Sequence, residues 1–555
     1  MGKERRRLVC VCGGVCVVVL VCVCVVLLTC WKCSDRFTHA AVSADSDRCS
    51  NIGRDVLLDG GSAVDAAIAA LICTALVNPQ SMGLGGGAIF TIMDKSGKVK
   101  VISSRETVPK SFKSDLLQRC PSETKLIIGP DWIGVPGELR GYARAHELYG
   151  KLPWARLLEP SIKLAREGFP LPEYLGRFLQ HPMINPVVLK SSLCELFCHP
   201  DKTSVLKTGD TLRYPILANT LETLAKDGPG AFYTGQIAQD LVHDVQATGG
   251  SLTLEDLSSF EVRVDDAQRV SLGEYQMYIP PLPAGGALIS FILNIMHGFG
   301  LSPASLQGDQ AALTLHRYIE AAKFANGQKR NIKDPKFHRL NVEHLTDPSF
   351  ADEVRAKISD SSTHPASFYN ITPSTDRFGT THVSVLAADG SAVSVTSTIN
   401  HMFGSAVYSS KTGIILNNEL ADFCNRVNSV SAGEQPPSSM APTILQSKDR
   451  ERVLVIGGSG GSMITTAMAM SIMNRLWLGM SLEEAISAKV VFVDSQNKVN
   501  FEPSFDQSLV KKLESLGHTI GQRGYFLNVV NAVEKEGGCI SAVSDKRKNG
   551  VAAGY

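Results

Sequence analysis

Neither charge predominates in this chain: 55 lysines and arginines stand against 54 aspartates and glutamates across 555 residues. Without a net field there is nothing to draw in nucleic acid or another polyanion, so recognition must be local. The paired CxxC and histidine-rich spacings that hold zinc are missing, and no metal or cofactor is called for. A G-x-G-x-x-A match occurs at Gly83, Gly85 and Ala88, but it runs helix, glycines, strand, the reverse of the order a dinucleotide fingerprint needs. The later glycine loop in "VLVIGGSGGSMITTAMAM" lacks the lysine of a phosphate loop. No internal repeat or low-complexity tract appears.

What is present begins at the N-terminus. Lys3, Arg5, Arg6 and Arg7 form a short basic tail (1–7) before an apolar run over 8–31, long enough to span a bilayer. The run ends in "LLTCWKCSDRF" rather than at a small-residue cleavage site, and reads as an uncleaved signal-anchor. The basic flank stays cytoplasmic, so the expected arrangement is a single-pass type II plasma-membrane protein with residues from about 32 onward outside the cell. Seven of the 14 cysteines, Cys10 to Cys33, lie in or beside the anchor and read mainly as small apolar residues, with palmitoylation of Cys33 as the alternative. In an oxidising compartment Cys49, Cys73, Cys194 and Cys198 are disulfide candidates, and Asn370-Ile371-Thr372 is a glycosylation sequon.

The length suggests two or three domains, or one large layered domain with insertions. "GGSAVDAAIAALICTAL" predicts a buried helix capped by Ser62 with Asp65 three residues on. The glycines of "SMGLGGGAIF" read as points of close backbone approach, and residues 139–260 as a helical outer layer. "GTTHVSVLAADGSAVSVTST" alternates on both sides of Asp389-Gly390 and predicts a hairpin. With those two residues as its loop, Thr381 faces Thr398 and Thr380 faces Ile399.

A threonine hydroxyl is a weak nucleophile unless a base lies beside it, and an N-terminal threonine carries one in its own α-amine. Cutting between Gly379 and Thr380 would create that amine, and glycine leaves the carbonyl unobstructed. Read alone, the motif fits a processed nucleophile or a strand with surface threonines equally well, and Thr381 offers a second hydroxyl one residue along. "NNELADF" sets Glu419 and Asp422 three apart, able to converge on a cation such as a substrate amine. "PPSSMAPT" offers the hydroxyls of Ser438 and Ser439 to a carboxylate, and Gly460-Gly461 before a helix suits an oxyanion hole or a tight turn.

These motifs, together with "TSTIN", "SSRETVP", "GVPGELRGY" and the terminal "AAGY", resemble the gamma-glutamyltransferase (glutathione hydrolase) family in collinear order over residues 39–555. Within it, "VNPQSMGLGGG", "PAGGALISFILN" and "FLNVVNAV" look most like the vertebrate branch that processes leukotrienes. The resemblance implies an α+β fold, the N-terminal nucleophile (Ntn) hydrolase αββα four-layer sandwich, autocleaved into a large subunit (32–379 outside the anchor) and a small catalytic subunit (380–555). It assigns Thr380 as nucleophile, with Gly379 and His382 in processing and Thr398 orienting the hydroxyl. Arg105, Ser438 and Ser439 would bind a glutamyl α-carboxylate, Asn400, Glu419 and Asp422 its α-amine, and Gly460 and Gly461 the oxyanion. It pairs Cys49 with Cys73 and Cys194 with Cys198. Glutathione and its S-conjugates are the implied donors, and water or amino-acid and dipeptide amines the acceptors. Two departures stand out: His401-Met402 replaces larger apolar residues, and the stretch between Asp422 and Ser438 is short. Competing readings are a processed but catalytically weak membrane glycoprotein and an Ntn amidase acting on other acyl groups.

Overall fold

Ser62 opens a helix over Ala63–Val77 through the capping box its sequence predicts: its hydroxyl accepts from the Asp65 N–H at 3.0 Å, and the Asp65 carboxylate accepts from the Ser62 N–H at 2.8 Å. All fifteen residues of this helix are buried, because it packs between other helices and a sheet, and small residues on every side let its neighbours approach. The computed structural model describes residue 33 and residues 36–121, 126–339, 342–371, 379–522 and 529–555. The expected tail and anchor (1–31) lie outside the described residues, among which no helix is long and apolar enough to cross a membrane.

Beneath that helix lies a seven-stranded antiparallel sheet in the order Ala553–Gly554, Ala41–Ser43, Thr381–Leu386, Ala392–Thr398, Gly87–Met93, Val99–Ser103, Arg263–Asp266. Thr381–Leu386 and Ala392–Thr398 are buried at every position, as strands covered on both faces must be. Their inner face packs on a six-stranded sheet, Cys539–Val543, Val529–Glu536, Val453–Ser459, Thr443–Ser447, Tyr275–Ile279, Gln268–Leu272. The helices Gly286–His297 and Ile464–Leu476 cover its far side. The layers therefore run α, β, β, α, and residues 138–259 form the helical outer layer. Gly86 shows why glycines join these layers, since a Cβ there would lie 2.0 Å from the Thr398 carbonyl oxygen.

The hairpin differs from expectation by one residue. Ala387 N–H donates to Ser391 O at 2.9 Å, so the loop holds three residues, Ala388, Asp389 and Gly390, rather than two. Gly390 takes φ 83°, and Asp389 Oδ1 accepts from Ser391 N at 3.0 Å, which closes the longer turn. Ser397, not Thr398, therefore faces Thr381, and Thr380 just before the strand meets Thr398 through their hydroxyls.

Among the described residues four disulfides are present. Cys49–Cys73 and Cys194–Cys198 are the pairs expected. Cys120–Cys424 and Cys33–Cys539 are additional. Cys33 is thus neither a lipid site nor a simple apolar residue: Phe37 and Ile540 exchange backbone hydrogen bonds at 2.8 and 2.7 Å and bring the N-terminal segment beside Cys539. Asn370 is exposed in a left-handed conformation (φ 59°) at the end of a short turn, a placement open to a glycan.

Candidate active site

Thr380 sits at the mouth of the central strand with φ 82°, a conformation a β-branched residue enters at a cost of about 1–3 kcal/mol. Three contacts hold it there. Its N–H donates to Ser81 O at 3.2 Å, its Oγ1 to Thr398 Oγ1 at 3.0 Å, and its carbonyl accepts from Lys548 Nζ at 2.8 Å. Thr398 Oγ1 also accepts the Asn400 N–H at 2.8 Å, which fixes its orientation. The preceding Gly379 has φ 151°, and a Cβ there would fall 1.7 Å from Asn400 O, so no other residue fits. The Gly379 carbonyl accepts from Gly460 N–H at 3.0 Å.

That donor comes from the end of the strand Val453–Ser459, where Gly460 (φ 115°) and Gly461 (φ 59°) turn the chain into the helix starting at Ile464. A backbone N–H on the Gly379 carbonyl oxygen polarises that carbonyl, as an attack on it would need.

A small pocket opens beside Thr380, lined by Arg105, Thr398, Asn400, Glu419, Asp422, Ser438, Ser439, Gly461 and neighbours. Arg105 is 1% exposed. Its guanidinium meets Glu419 Oε1, donates to Asp422 Oδ2 at 2.7 Å, and spans the carbonyls of Pro436 (3.2 Å) and Pro437 (3.1 Å). Glu106 adds a third carboxylate 3.8 Å away. One cation cannot neutralise three buried anions. Burial pushes Glu106 up to about 8 and drives Glu419 well above the usual carboxylate range, both against the pull of Arg105. Glu419 Oε2 is buried with no hydrogen-bond partner among the described residues. The excess of carboxylate over cation favours an added ammonium there, and Ser438 and Ser439 stand on the same pocket wall.

His382 lies near Thr380 in sequence but does not touch its hydroxyl. Its ring nitrogens bond Thr396 Oγ1 and Ser384 Oγ, each at 2.9 Å, and burial with the charge of Lys548 pulls it down to about 3. It is a neutral group whose hydrogen bonds stay within the seven-stranded sheet and whose ring lies against Gly457 of the other. Met402 packs against the outer hydrophobic core and is not among the residues lining the pocket.

Sequence reasoning missed Lys548 and Asp45. Lys548 Nζ donates to Asp45 Oδ2 (2.6 Å) and Ser459 Oγ (2.9 Å) besides Thr380 O, and Asp45 also accepts from Thr381 Oγ1 and from Asn531 Nδ2 at 2.7 Å. Lys548 reads as part of a solvated charge run, and only the docking of the terminal strand Ala553–Gly554 on Ala41–Ser43 brings it inward. A second buried cluster, His316, Glu320 and His518, has metal-like spacing. Every ligand atom there is engaged: His316 bonds Ser359 O (2.7 Å) and His518 (2.8 Å), His518 faces Lys323 Nζ (2.8 Å), and Glu320 accepts from Thr363 (2.6 Å) and Tyr369 (2.5 Å). An ammonium already occupies the cluster's edge, and a metal cation is disfavoured.

Stacked sheets sandwiched between helices, with Thr380 at their edge and a glycine before it, have the architecture of the Ntn-type hydrolases. The fold matches the cephalosporin acylase from Bacillus halodurans at TM-score 0.83 and 24% identity, covering 94% of this chain and 96% of that one. The gamma-glutamyltranspeptidase of Helicobacter pylori matches at TM-score 0.51 and 27% identity, over 58% of this chain and 92% of that chain. The gamma-glutamyltranspeptidase family description matches residues 49–555. The glutathione hydrolase 5 proenzyme of Rattus norvegicus is 48% identical over 536 residues (94% of this chain, 93% of its own), and that of Homo sapiens 47% over 548 (94% and 93%). The chain belongs to the gamma-glutamyltranspeptidase family and is an enzyme of that class.

Proposed function

We propose that the protein hydrolyses and transfers the γ-glutamyl group of glutathione and its S-conjugates, including the glutathione-bearing leukotriene, after autoproteolysis between Gly379 and Thr380. The observation that carries this reading is the meeting of Thr380, held by Thr398, with a pocket charged for an amino-acid head. The kinship with glutathione hydrolase 5 proenzymes supports it. In the precursor, Thr380 Oγ attacks the Gly379 carbonyl carbon, the peptide C–N bond breaks as the ester forms, and the nitrogen takes the hydroxyl proton. Water then cleaves the ester, leaving a carboxylate on Gly379 and a free α-amine on Thr380. That amine accepts the hydroxyl proton as Thr380 attacks the γ-carbonyl of the donor, then returns it to the leaving peptide amine. The γ-glutamyl ester is released by water or by an acceptor amine. The Gly460 N–H, relieved of Gly379, becomes a donor to the substrate oxyanion.

Four disulfides fit an oxidising compartment and support placing residues from about 32 onward outside the cell, behind an anchor over 8–31. Purified ectodomain should turn over a chromogenic γ-glutamyl anilide; a folded, processed protein without turnover would favour the inactive-glycoprotein reading. Met440 and Ile464 give the pocket wall an apolar side, and kcat/KM for the leukotriene conjugate is expected to equal or exceed that for glutathione. Exclusion of the lipid conjugate would remove leukotriene while leaving the γ-glutamyl activity.

The pH profile separates the bases. His382, held at about 3, is neutral throughout the working range and contributes no limb. The α-amine works only when unprotonated, so kcat/KM should fall as pH drops through its pKa, about 7.7–8.0 for an unperturbed amine. The Lys548 charge at the Thr380 carbonyl disfavours a second cation there and moves the limb lower. A rate that stays level well into the acid range, with no such limb, would point to a different base.

A further inference from the structure

Glu419 and Asp422 reach the pocket on the short turn Glu419–Phe423, and that turn rests on residues that precede Gly379 in the chain. Its Leu420, Ala421 and Phe423 are buried in an apolar cluster with Val108, Leu116 and Trp132. The cluster is small and stands apart from the two main cores, so it buries little apolar surface with which to hold the turn. A covalent bond does so instead. Cys424, whose N–H closes the turn on Ala421 O at 3.1 Å, is joined to Cys120. The segment that carries Cys120 is itself braced, since Arg119 donates to Asp115 at 2.9 Å and to Asp131 at 2.6 Å. The far end of the same loop is tied down by hydrogen bonds beside Arg105: Gly433 N–H to Val108 O at 2.9 Å, Val108 N–H to Glu434 O at 3.0 Å, and Gln435 Nε2 to Arg105 O at 3.1 Å.

The turn brings two carboxylates to Arg105, where Glu106 already supplies another. In the empty pocket like charges push the turn outward. A turn free to yield would have to be drawn back by each arriving ligand, which weakens binding by the fraction of time it spends out of place. We propose that Cys120–Cys424 is a positioning bond for donor recognition: it holds Glu419 and Asp422 where the donor's α-ammonium meets them, and so sets affinity for the γ-glutamyl head without entering the chemistry at Thr380. This rests on the γ-glutamyl reading above. Cys33–Cys539 joins the same two parts of the chain but lies at the edge strand Cys539–Val543 of the six-stranded sheet, away from the turn, and serves as its control.

The test uses the full chain as wild type, as Cys120→Ser/Cys424→Ser and as Cys33→Ser/Cys539→Ser. For each, kcat and KM are measured with a γ-glutamyl anilide, and competitive inhibition constants with glutamate and with glutarate, which lacks the α-ammonium. Loss of Cys120–Cys424 should raise KM and the glutamate constant about tenfold, short of the roughly 100-fold that an ångström of misplacement can bring. The glutarate constant should stay, and kcat should hold within about twofold. Loss of Cys33–Cys539 should move none of the four. An unchanged KM, a fall confined to kcat, or equal weakening of glutamate and glutarate would each overturn the positioning role, as would the same rise in the control variant. Should the first variant fail to fold, folded wild type is reduced stepwise with a phosphine while alkylation and peptide mapping report which pair has opened. The rise in KM should then track Cys120 and Cys424, and full affinity with that pair open would overturn the proposal. A wild type that turns over no γ-glutamyl anilide would defeat the γ-glutamyl reading itself, and the positioning role with it.

Discussion

Thr380→Ala is expected to run as one uncut chain under reducing, denaturing conditions, where the wild type gives two, and to hydrolyse γ-glutamyl amides at least about 10⁴-fold more slowly, the scale of losing a nucleophile. On the function proposed above, the loss is double because one oxygen would serve both steps, opening the Gly379 peptide and later forming the ester with substrate. The local geometry suits that first step, with Gly460 N–H on the Gly379 carbonyl oxygen and Thr380 held at φ 82°. Opening the peptide would relieve that backbone and so favour cleavage without an external protease. Thr380→Ser should keep both steps at reduced rates. Thr381→Ala should still be cut, because its hydroxyl is spent on Asp45 rather than aimed at Gly379. Should Thr380→Ala still split and turn over substrate, the nucleophile would have to be sought at Thr381.

The second large effect is expected at Arg105. In Arg105→Lys, kcat/KM for a γ-glutamyl anilide should fall about 100-fold, mostly through KM, since hydrogen bonds to charged groups contribute about 1.5–3 kcal/mol and an ammonium cannot repeat a two-pronged contact. The enzyme without substrate suffers as well: Glu419 and Asp422 both lean on this guanidinium, and a point charge cannot span them together with the Pro436 and Pro437 carbonyls. Steady-state kinetics on correctly processed protein checks this; an unaltered kcat/KM would take Arg105 out of the site.

The reach of sequence reading varied with the range of the contact. Ser62 and its helix were legible because the capping box is local, and the Gly460-Gly461 turn because strand, glycines and helix follow one another. The hairpin was legible in kind but not in register, since one serine hydroxyl beside Asp389 is enough to favour a three-residue turn, and a one-residue slip exchanges Thr398 for Ser397 opposite Thr381. Asp45, Lys548 and the Cys33–Cys539 and Cys120–Cys424 pairs were out of reach. Each joins segments hundreds of residues apart, and nothing local distinguishes Cys120 from Cys73 or Lys548 from its basic neighbours.

Cys33–Cys539 and Cys120–Cys424 each cross position 379, whereas the other two disulfides do not. Cutting the backbone there changes the connectivity of the molecule without changing its molecularity: a linear chain with cross-links becomes two strands riveted at two points. Its unfolding is then a first-order event whose midpoint does not depend on protein concentration, unlike that of a dimer held by contacts alone. In that cut form dilution could not strip the 380–555 strand from the one that carries Arg105. A reductant confers that liability on it, since only with both rivets open does the protein acquire a dissociation constant.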